Sequence, residues 1–332
     1  MQLKYVTDDI PGITRKKGWT SFVYRDEKGE KIRNKDVLAR IRSLAIPPAY
    51  TDVWICPFMN GHVQATARDA RKRKQYIYHP DWITKRDEGK FHRLLQFAQA
   101  LPRLRRRITH DLALPGMPKE KVLATIVKLL DTEYIRIGND EYAKENDSFG
   151  LTTLQNRHVK GTGTHMKLVF KGKHGIVREV ALEDERLRKI VATCQDIPGH
   201  ELFEYLDDRN KPHDVKSEDV NEYLKSISHE EITAKDFRTW HGTVLAASYL
   251  WEHPLPETKK EAHHITKEAI KTAAEALGNT AAICKKCYVH PQIISLYEKG
   301  NLLWVPPEEK KRRKYPHLHM QEVALITWLE KL

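Results

Sequence analysis

Hydrophobic and polar positions change their spacing near residue 86. Before it, short runs alternate as strands do. TSFVYRD (20–26), a turn at Glu27-Lys28-Gly29-Glu30, and KIRN (31–34) predict a hairpin. DVWICP (52–57) and HVQATARD (62–69) predict two strands joined by a turn at Met59-Asn60-Gly61. Between them, Asp36 is placed to cap a short helix over DVLARIRSLA (36–45), which Pro47 and Pro48 end. Beyond residue 86 the spacing turns helical. KFHRLLQFAQALPRLRRRITHDLAL (90–114) carries apolar residues at helical intervals with basic residues between. PKEKVLATIVKLLDTEYIRIG (118–138) starts with Pro118 in a first-turn position. One β-segment interrupts: HMKLVF (165–170), the turn KGKHG (171–175), then IVREVAL (176–182). Helical patterns resume over 184–195, 217–227, 235–252, 258–278 and 321–332, while EKKRRKYPHLH (309–319) reads as a basic loop. The layout predicts an α+β fold. A small β-rich N-terminal domain spans residues 1–85, and a larger, mainly helical domain with a β-hairpin spans 86–332.

Composition narrows the partner. The 332 residues suffice for two domains, and 40% hydrophobic content argues against global disorder. Lys and Arg outnumber Asp and Glu by 57 to 45, a formal charge of +12, which favours a polyanion such as nucleic acid or an anionic membrane surface. A membrane span is not expected, because no run of about 18 apolar residues occurs. MQLKYVTDDIPGITRKKGW, at the start, lacks the apolar core of a secretory signal. Four scattered cysteines (Cys56, Cys194, Cys284, Cys287) do not make a disulfide framework, so a reducing cytoplasm is expected. The stretch Arg68–Tyr78 mixes basic and aromatic residues. It reads as a solvated surface strand or as a phosphate-contacting strand, with Arg71, Lys72 and Arg73 as candidates.

Four segments carry candidate chemistry: Tyr134–Asn139, Phe170–Gly175, Ala234–His241 and Gly278–Pro291. Singly, each has an ordinary explanation. An Arg after a helix is usually salt-bridged, a Lys on a turn is usually solvated, and a Tyr near a Pro is usually packed. Metal and nucleotide chemistry find little support. Cys284-Lys-Lys-Cys287 lacks a second Cys or His pair, and His263 and His264 are adjacent, so on a helix they point apart. No GxxxxGK[ST] loop is present to cradle ATP.

The order Arg, hairpin Lys, Lys-Asp-x-Arg and terminal Tyr resembles the type IB DNA topoisomerases, especially the compact poxvirus and bacterial branch. The resemblance covers nearly the whole chain. IPPAYTDVWICP and GHVQATARDARKRKQYIYHPDW look like that family's N-terminal DNA-clamping domain, and RIGNDEYAKENDSFGLTTLQNRHV and AKDFRTWHGT are among its more specific signatures. It implies two domains that clamp duplex DNA, a monomer, no cofactor and no metal. It implies Tyr288 as nucleophile, Arg136 and Arg238 as ligands of the scissile phosphate, Lys173 as proton donor and Asn279 as a third phosphate ligand. Asn279 departs from the His of many relatives; it can donate a hydrogen bond but cannot shuttle a proton near neutral pH. Cys284 stands where many relatives have Ser. Gln75, Tyr76, Tyr78 and Tyr142 are implied DNA contacts. Both Lys171 and Lys173 lie in KGKHG, and physics alone does not separate them. The family pattern, with the acid directly after Gly, selects Lys173. The expected location is cytoplasmic, with nucleoid association if the source is bacterial. Two other readings stay open: a tyrosine recombinase, which typically has His at the position of Lys235, and a non-catalytic duplex-binding protein.

Overall fold

The computed structural model describes residues 2–19, 21–302 and 304–331, without the side chains at 86–88, 90, 92 and 174. Thr20 of the first expected strand, Leu332 of the last expected helix and the His174 side chain of the hairpin turn lie outside the described residues. The chain divides into two compact units, Met1–His92 and Arg93–Leu332.

In the first unit, β1 (Ile13–Lys17), β2 (Phe22–Arg25), α1 (Lys35–Ser43), β3 (Thr51–Ile55), β4 (Val63–Arg68) and β5 (Lys74–Tyr78) follow one another. The strands form an antiparallel sheet ordered β2-β1-β3-β4-β5. Ile41 of α1 packs with Ile13, Val53, Ile55, Ala65 and Ala67 on one face. A register shift between Val63 and Ala65 turns Val63 to a second cluster with Val6 and Cys56. Two sequence expectations need correction here. The partner of Phe22–Arg25 is ITRKK (13–17), while 31–34 keeps only the Arg25–Lys31 bridge. The expected turn does form, with Gly29 at φ +82°, but β1 supplies a longer register. The cap of α1 is Asn34, whose side chain accepts from the amides of Asp36 and Val37; Asp36 sits in the first turn. The helix ends at Ser43, before Pro47, and Ala45 beyond it takes φ 49°.

The second unit is mainly helical. It takes α2 (Pro80–Asp111) from Arg93 onward, then α3 (Lys119–Thr132), α4 (Asp140–Asn146), β6 (Val159–Lys160), β7 (Lys167–Lys171), β8 (Val177–Ala181) and α5 (Glu185–Gln195). There follow β9 (Glu204–Leu206), β10 (Pro212–Asp214), α6 (Ser217–Ser228), α7 (Ala234–Trp251), α8 (Lys259–Leu277), α9 (Ala281–Cys287), α10 (Pro291–Glu298), α11 (Glu309–Lys314) and α12 (Met320–Leu329). Strands β6, β7 and β8 make an antiparallel sheet, and the predicted hairpin is its β7–β8 pair. The expected basic loop is a helix at its start: Lys and Arg favour helix, Arg313 pairs with Glu309 one turn away, and Pro316 follows the end. Among the described residues, no helix is long and apolar enough to cross a membrane.

Helix α7 is the spine of this unit and packs on α3, α8, α10 and α12. Phe237 and Trp240 are fully buried, with Phe97 edge-on to Phe237 at 4.9 Å. A buried ionic network anchors its middle. Arg105 donates to both oxygens of Asp131 (2.8 and 3.0 Å) and both of Glu322 (2.7 and 2.9 Å). Trp240 Nε1 donates to Glu322 at 2.9 Å, and His241 Nε2 meets Asp131 at 2.9 Å. These bonds tie α2, α3, α7 and α12 together and fix the rotation of α7, which carries Arg238.

Candidate active site

Arg136 sits on a loop locked by two glycines. After α3 ends, Tyr134 adopts φ 54°, uncommon for an aromatic residue, and Gly138 adopts φ +108°. The loop then pairs with the next one: Leu151 donates to Arg136 O at 2.9 Å and Thr152 to Ile137 O at 2.7 Å. A Cβ at Gly150 would lie 2.6 Å from Arg136 O and 2.6 Å from Gly138 Cα, so only glycine permits the approach.

The C-terminus of α8 holds both arginines. Arg238 Nη2 donates to Leu277 O at 2.7 Å, and Arg238 Nη1 donates to Tyr134 O. Arg136 Nη2 donates to Gly278 O at 3.3 Å and to the Asn279 side-chain oxygen. The carbonyl end of a helix carries partial negative charge, which suits guanidinium groups. Gly278, at φ +59°, makes the left-handed cap that exposes these carbonyls. Because Arg only donates, Asn279 must present its oxygen to Arg136, leaving its amide nitrogen as a donor. That nitrogen and Arg238 Nε are buried without a hydrogen-bond partner. Burial, then the nearby Arg238 charge, pushes the Arg136 pKa down to about 10. Burial lowers that of Arg238, opposed by its contact with the Tyr288 phenol. Both shifts describe cations short of an anion.

Tyr288 is placed by α7 and α9. Thr280 caps α9, and the Tyr288 amide donates to Cys284 O at 2.8 Å. Thr243 Oγ1 donates to Tyr288 O at 3.1 Å. A Cβ at Gly242 would lie 2.7 Å from Tyr288 O and 2.9 Å from its Cβ. The Arg238 guanidinium lies 5.1 Å from the centroid of the Tyr288 ring.

Arg136, Lys173, Arg238 and Tyr288 line one cavity of about 390 Å³, together with Tyr142, Phe149 and Lys235. Asn279 joins through its bond to Arg136. Lys171 faces elsewhere: its ammonium pairs with Asp147 at 2.8 Å, and its carbonyl accepts from Phe149 at 2.7 Å. Lys171 is the last residue of β7, whereas Lys173 lies past Gly172 on the turn, off the strand, so geometry separates two lysines that sequence physics could not.

Comparison with known proteins places the chain in a family. Residues 71–302 match the family "Eukaryotic DNA topoisomerase I, catalytic core", and residues 21–69 match "Bacterial DNA topoisomerase IB, N-terminal domain". DNA topoisomerase 1B of Acanthamoeba polyphaga mimivirus is 31% identical over 299 residues, 88% of this chain and 89% of that protein. DNA topoisomerase 1B of Vaccinia virus (strain Copenhagen) is 26% identical over 243 residues, 71% of this chain and 72% of that protein. The chain belongs to the type IB DNA topoisomerases.

Membership in the type IB topoisomerases sets aside the recombinase reading, and Lys235 lines the cavity where a recombinase typically has His. Three neighbours of the site in this topoisomerase are not legible in its sequence as site residues: Lys235, Gly242 and Thr243. The sequence marks Lys235 only as a family discriminator. Gly242 and Thr243 belong to the AKDFRTWHGT signature, but nothing in it says that they back the nucleophile. The expected DNA-contact residues divide. Tyr142 lies in the cavity. Arg71 and Lys72 are exposed on the β4–β5 turn, with Lys72 at φ 64°. Arg73 is tied to Asp69 at 2.7 Å, and Gln75 donates to the same carboxylate at 3.1 Å. Tyr76 and Tyr78 take the opposite face of β5, their rings stacked 6.0 Å apart. Gln75 therefore does not share a surface with the two tyrosines.

Proposed function

We propose that the protein relaxes supercoiled duplex DNA by nicking one strand through a 3′-phosphotyrosyl bond at Tyr288, allowing rotation, and resealing. The observation that carries this is the convergence of Arg136, Lys173, Arg238 and Tyr288 on one cavity. Exchange of one phosphodiester for another is close to energy-neutral, so ATP is not needed. The Tyr288 oxygen bonds to phosphorus as the bond from phosphorus to the 5′ oxygen breaks, and the phenol proton passes to solvent. Charge builds on the nonbridging oxygens in the transition state, where Arg136, Arg238 and the Asn279 amide supply directed donors. The unpartnered Arg238 Nε and Asn279 nitrogen support that role. The departing 5′-hydroxyl is a poor anion, and Lys173 protonates it. The first unit, with exposed Arg71 and Lys72, binds the duplex and completes a clamp with the second.

The direct test is relaxation of positively and negatively supercoiled plasmid in EDTA, without nucleotide and at matched ionic strength. Activity is expected under these conditions and its loss would overturn the mechanism. Tyr288→Phe removes one oxygen and keeps the ring. It should bind duplex DNA nearly normally, trap no adduct on a suicide duplex and relax nothing. An adduct that persists, or that carries the 5′ phosphate, would refute the assignment.

A further inference from the structure

We propose that Arg178, on β8, is a positioning residue that holds the Lys173 turn in register with the two phosphate-binding arginines. Its place in the sheet is fixed by pairing with Phe170 across the β7–β8 hairpin. Its aliphatic stem lies over Gly172, the residue before Lys173: a Cβ there would meet Arg178 Cγ at 3.4 Å. Its guanidinium leaves the hairpin altogether. Nη1 and Nη2 donate to Ala276 O at 3.2 and 3.3 Å, at the end of α8. Nη2 also reaches Glu133 O at 3.5 Å, at the end of α3. A Cβ on Gly278 would lie 2.5 Å from Nη1, so the cap residue before Asn279 is shaped to admit this side chain.

One side chain thus touches three segments remote in sequence. They precede Lys173, Asn279 and Arg136. The same helix end receives all three arginines: Arg178 on Ala276 O, Arg238 on Leu277 O and Arg136 on Gly278 O. The last carbonyls of α8 are therefore a common mooring for the hairpin and the phosphate ligands. A hairpin with an exposed tip otherwise sways at little cost, and proton transfer needs the donor within hydrogen-bond reach of the leaving oxygen. Lys cannot replace this Arg fully, because an ammonium is a compact charge without the planar fork that spans two carbonyls. Burial, and then the Arg238 charge, lowers the Arg178 pKa, as for a cation crowded by others.

This proposal rests on Lys173 as the proton donor, and its test separates the two. Single-turnover cleavage is measured on suicide duplexes with an ordinary phosphodiester and with a 5′-bridging phosphorothiolate, whose thiolate leaves unprotonated. Arg178→Ala should slow the ordinary substrate about tenfold or more and the phosphorothiolate about threefold or less. Arg178→Lys should fall between Arg178→Ala and wild type. Binding of uncleaved duplex should stay within about twofold for both, since the residue acts on placement and not on affinity. Equal losses on both substrates, or no loss, would overturn the proposal, whatever the melting temperature does. Arg178→Lys keeps the stem and charge, so it carries the same comparison if Arg178→Ala does not fold. Lys173→Ala is run alongside. If the thiolate rescues Lys173→Ala but neither Arg178 variant, only the positioning role falls. If it does not rescue Lys173→Ala, the proton-donor reading falls and takes this proposal with it.

Discussion

Gly242→Ala adds one methyl group behind the nucleophile, in a space too small to hold it. The new Cβ would stand 2.7 Å from Tyr288 O, 2.9 Å from Tyr288 Cβ and 3.1 Å from Leu277 Cδ1. Two of these atoms belong to the residue that attacks. To reach the 3.4 Å of ordinary contact, the tighter gap must open by about 0.7 Å. Helix α7 cannot retreat easily, because Trp240 and His241 are bound into the buried Glu322 and Asp131 network. The displacement therefore falls on Tyr288 and the end of α9. Misplacement of a reacting group by 1 Å costs about a hundredfold in rate, so the cleavage rate should drop between about tenfold and a hundredfold. Stability should move far less. Overpacking costs roughly 1–3 kcal/mol, but Ala favours helix over Gly by about 1 kcal/mol. Single-turnover cleavage of a suicide duplex and thermal melting on the same preparation separate the two effects. A variant that cleaves at the wild-type rate would refute the idea that Gly242 sets the position of the nucleophile. A variant whose melting collapses in step with its rate would show that the backbone yields elsewhere.

Three further outcomes are expected. Replacing Arg71 and Lys72 with Ala should reduce the slope of log K against log salt by about one for each lost phosphate contact, whereas Arg73→Ala should change it less because Asp69 already holds that guanidinium; equal effects from all three, in a binding titration, would contradict this. Asp131→Asn should cost about 1–3 kcal/mol near neutral pH, because His241 and one side of Arg105 lose their carboxylate while Glu322 still pairs Arg105. Although burial opposes ionisation of Asp131, His241 and Arg105 hold its carboxyl well below the usual range, so its contribution is present above the unfolded value of about 3.9 and fades as pH falls through and below it; a gap between wild type and variant that stays constant down to strongly acid pH would count against the network. Glu201→Gln should raise the melting temperature above pH 7 and leave it unchanged near pH 4, because burial and then neighbouring carboxylates push Glu201 up to about 7. The ionised form is the strained one, and equal melting of both proteins at pH 8 would show that it is not.

Periodicity located the long elements because their burial is regular. The stretch 118–138 reads as a helix, but α3 takes only Lys119–Thr132 of it, and Tyr134 at φ 54° opens the Arg136 loop; the hairpin reads from its alternation about the glycines at 172 and 175. Periodicity missed a second partner: Phe22–Arg25 meets Lys31 on one edge, as expected, and pairs over four residues with ITRKK on the other, a segment whose basic residues hide its strand character. The basic segment after Pro307 fails for another reason. Charge density suggested a loop, yet Lys and Arg are good helix formers and Arg313 has its acid one turn away.

The site divides along the same line. Side chains that meet the scissile phosphate are charged or nucleophilic, so their order along the chain could be read and compared with a family. The parts that place them are backbone events, and backbone leaves little trace in sequence. Gly150, Gly242 and Gly278 act through the absence of a Cβ, which would lie 2.6 Å from Arg136 O, 2.7 Å from Tyr288 O and 2.5 Å from Arg178 Nη1 respectively. The carbonyls of Ala276, Leu277 and Gly278 act through no side chain at all, yet they hold three arginines. This has a chemical consequence. In the free protein, Arg136 and Arg238 already spend donors on peptide oxygens, each a weak, neutral acceptor. A phosphate offers stronger, charged acceptors to the donors that remain, Arg238 Nε and the Asn279 amide among them. The guanidiniums thus need not be recruited when DNA arrives. They are held in place beforehand by bonds that leave part of their fork open, and preorganised donors of that kind give the largest electrostatic effect on a phosphoryl transfer.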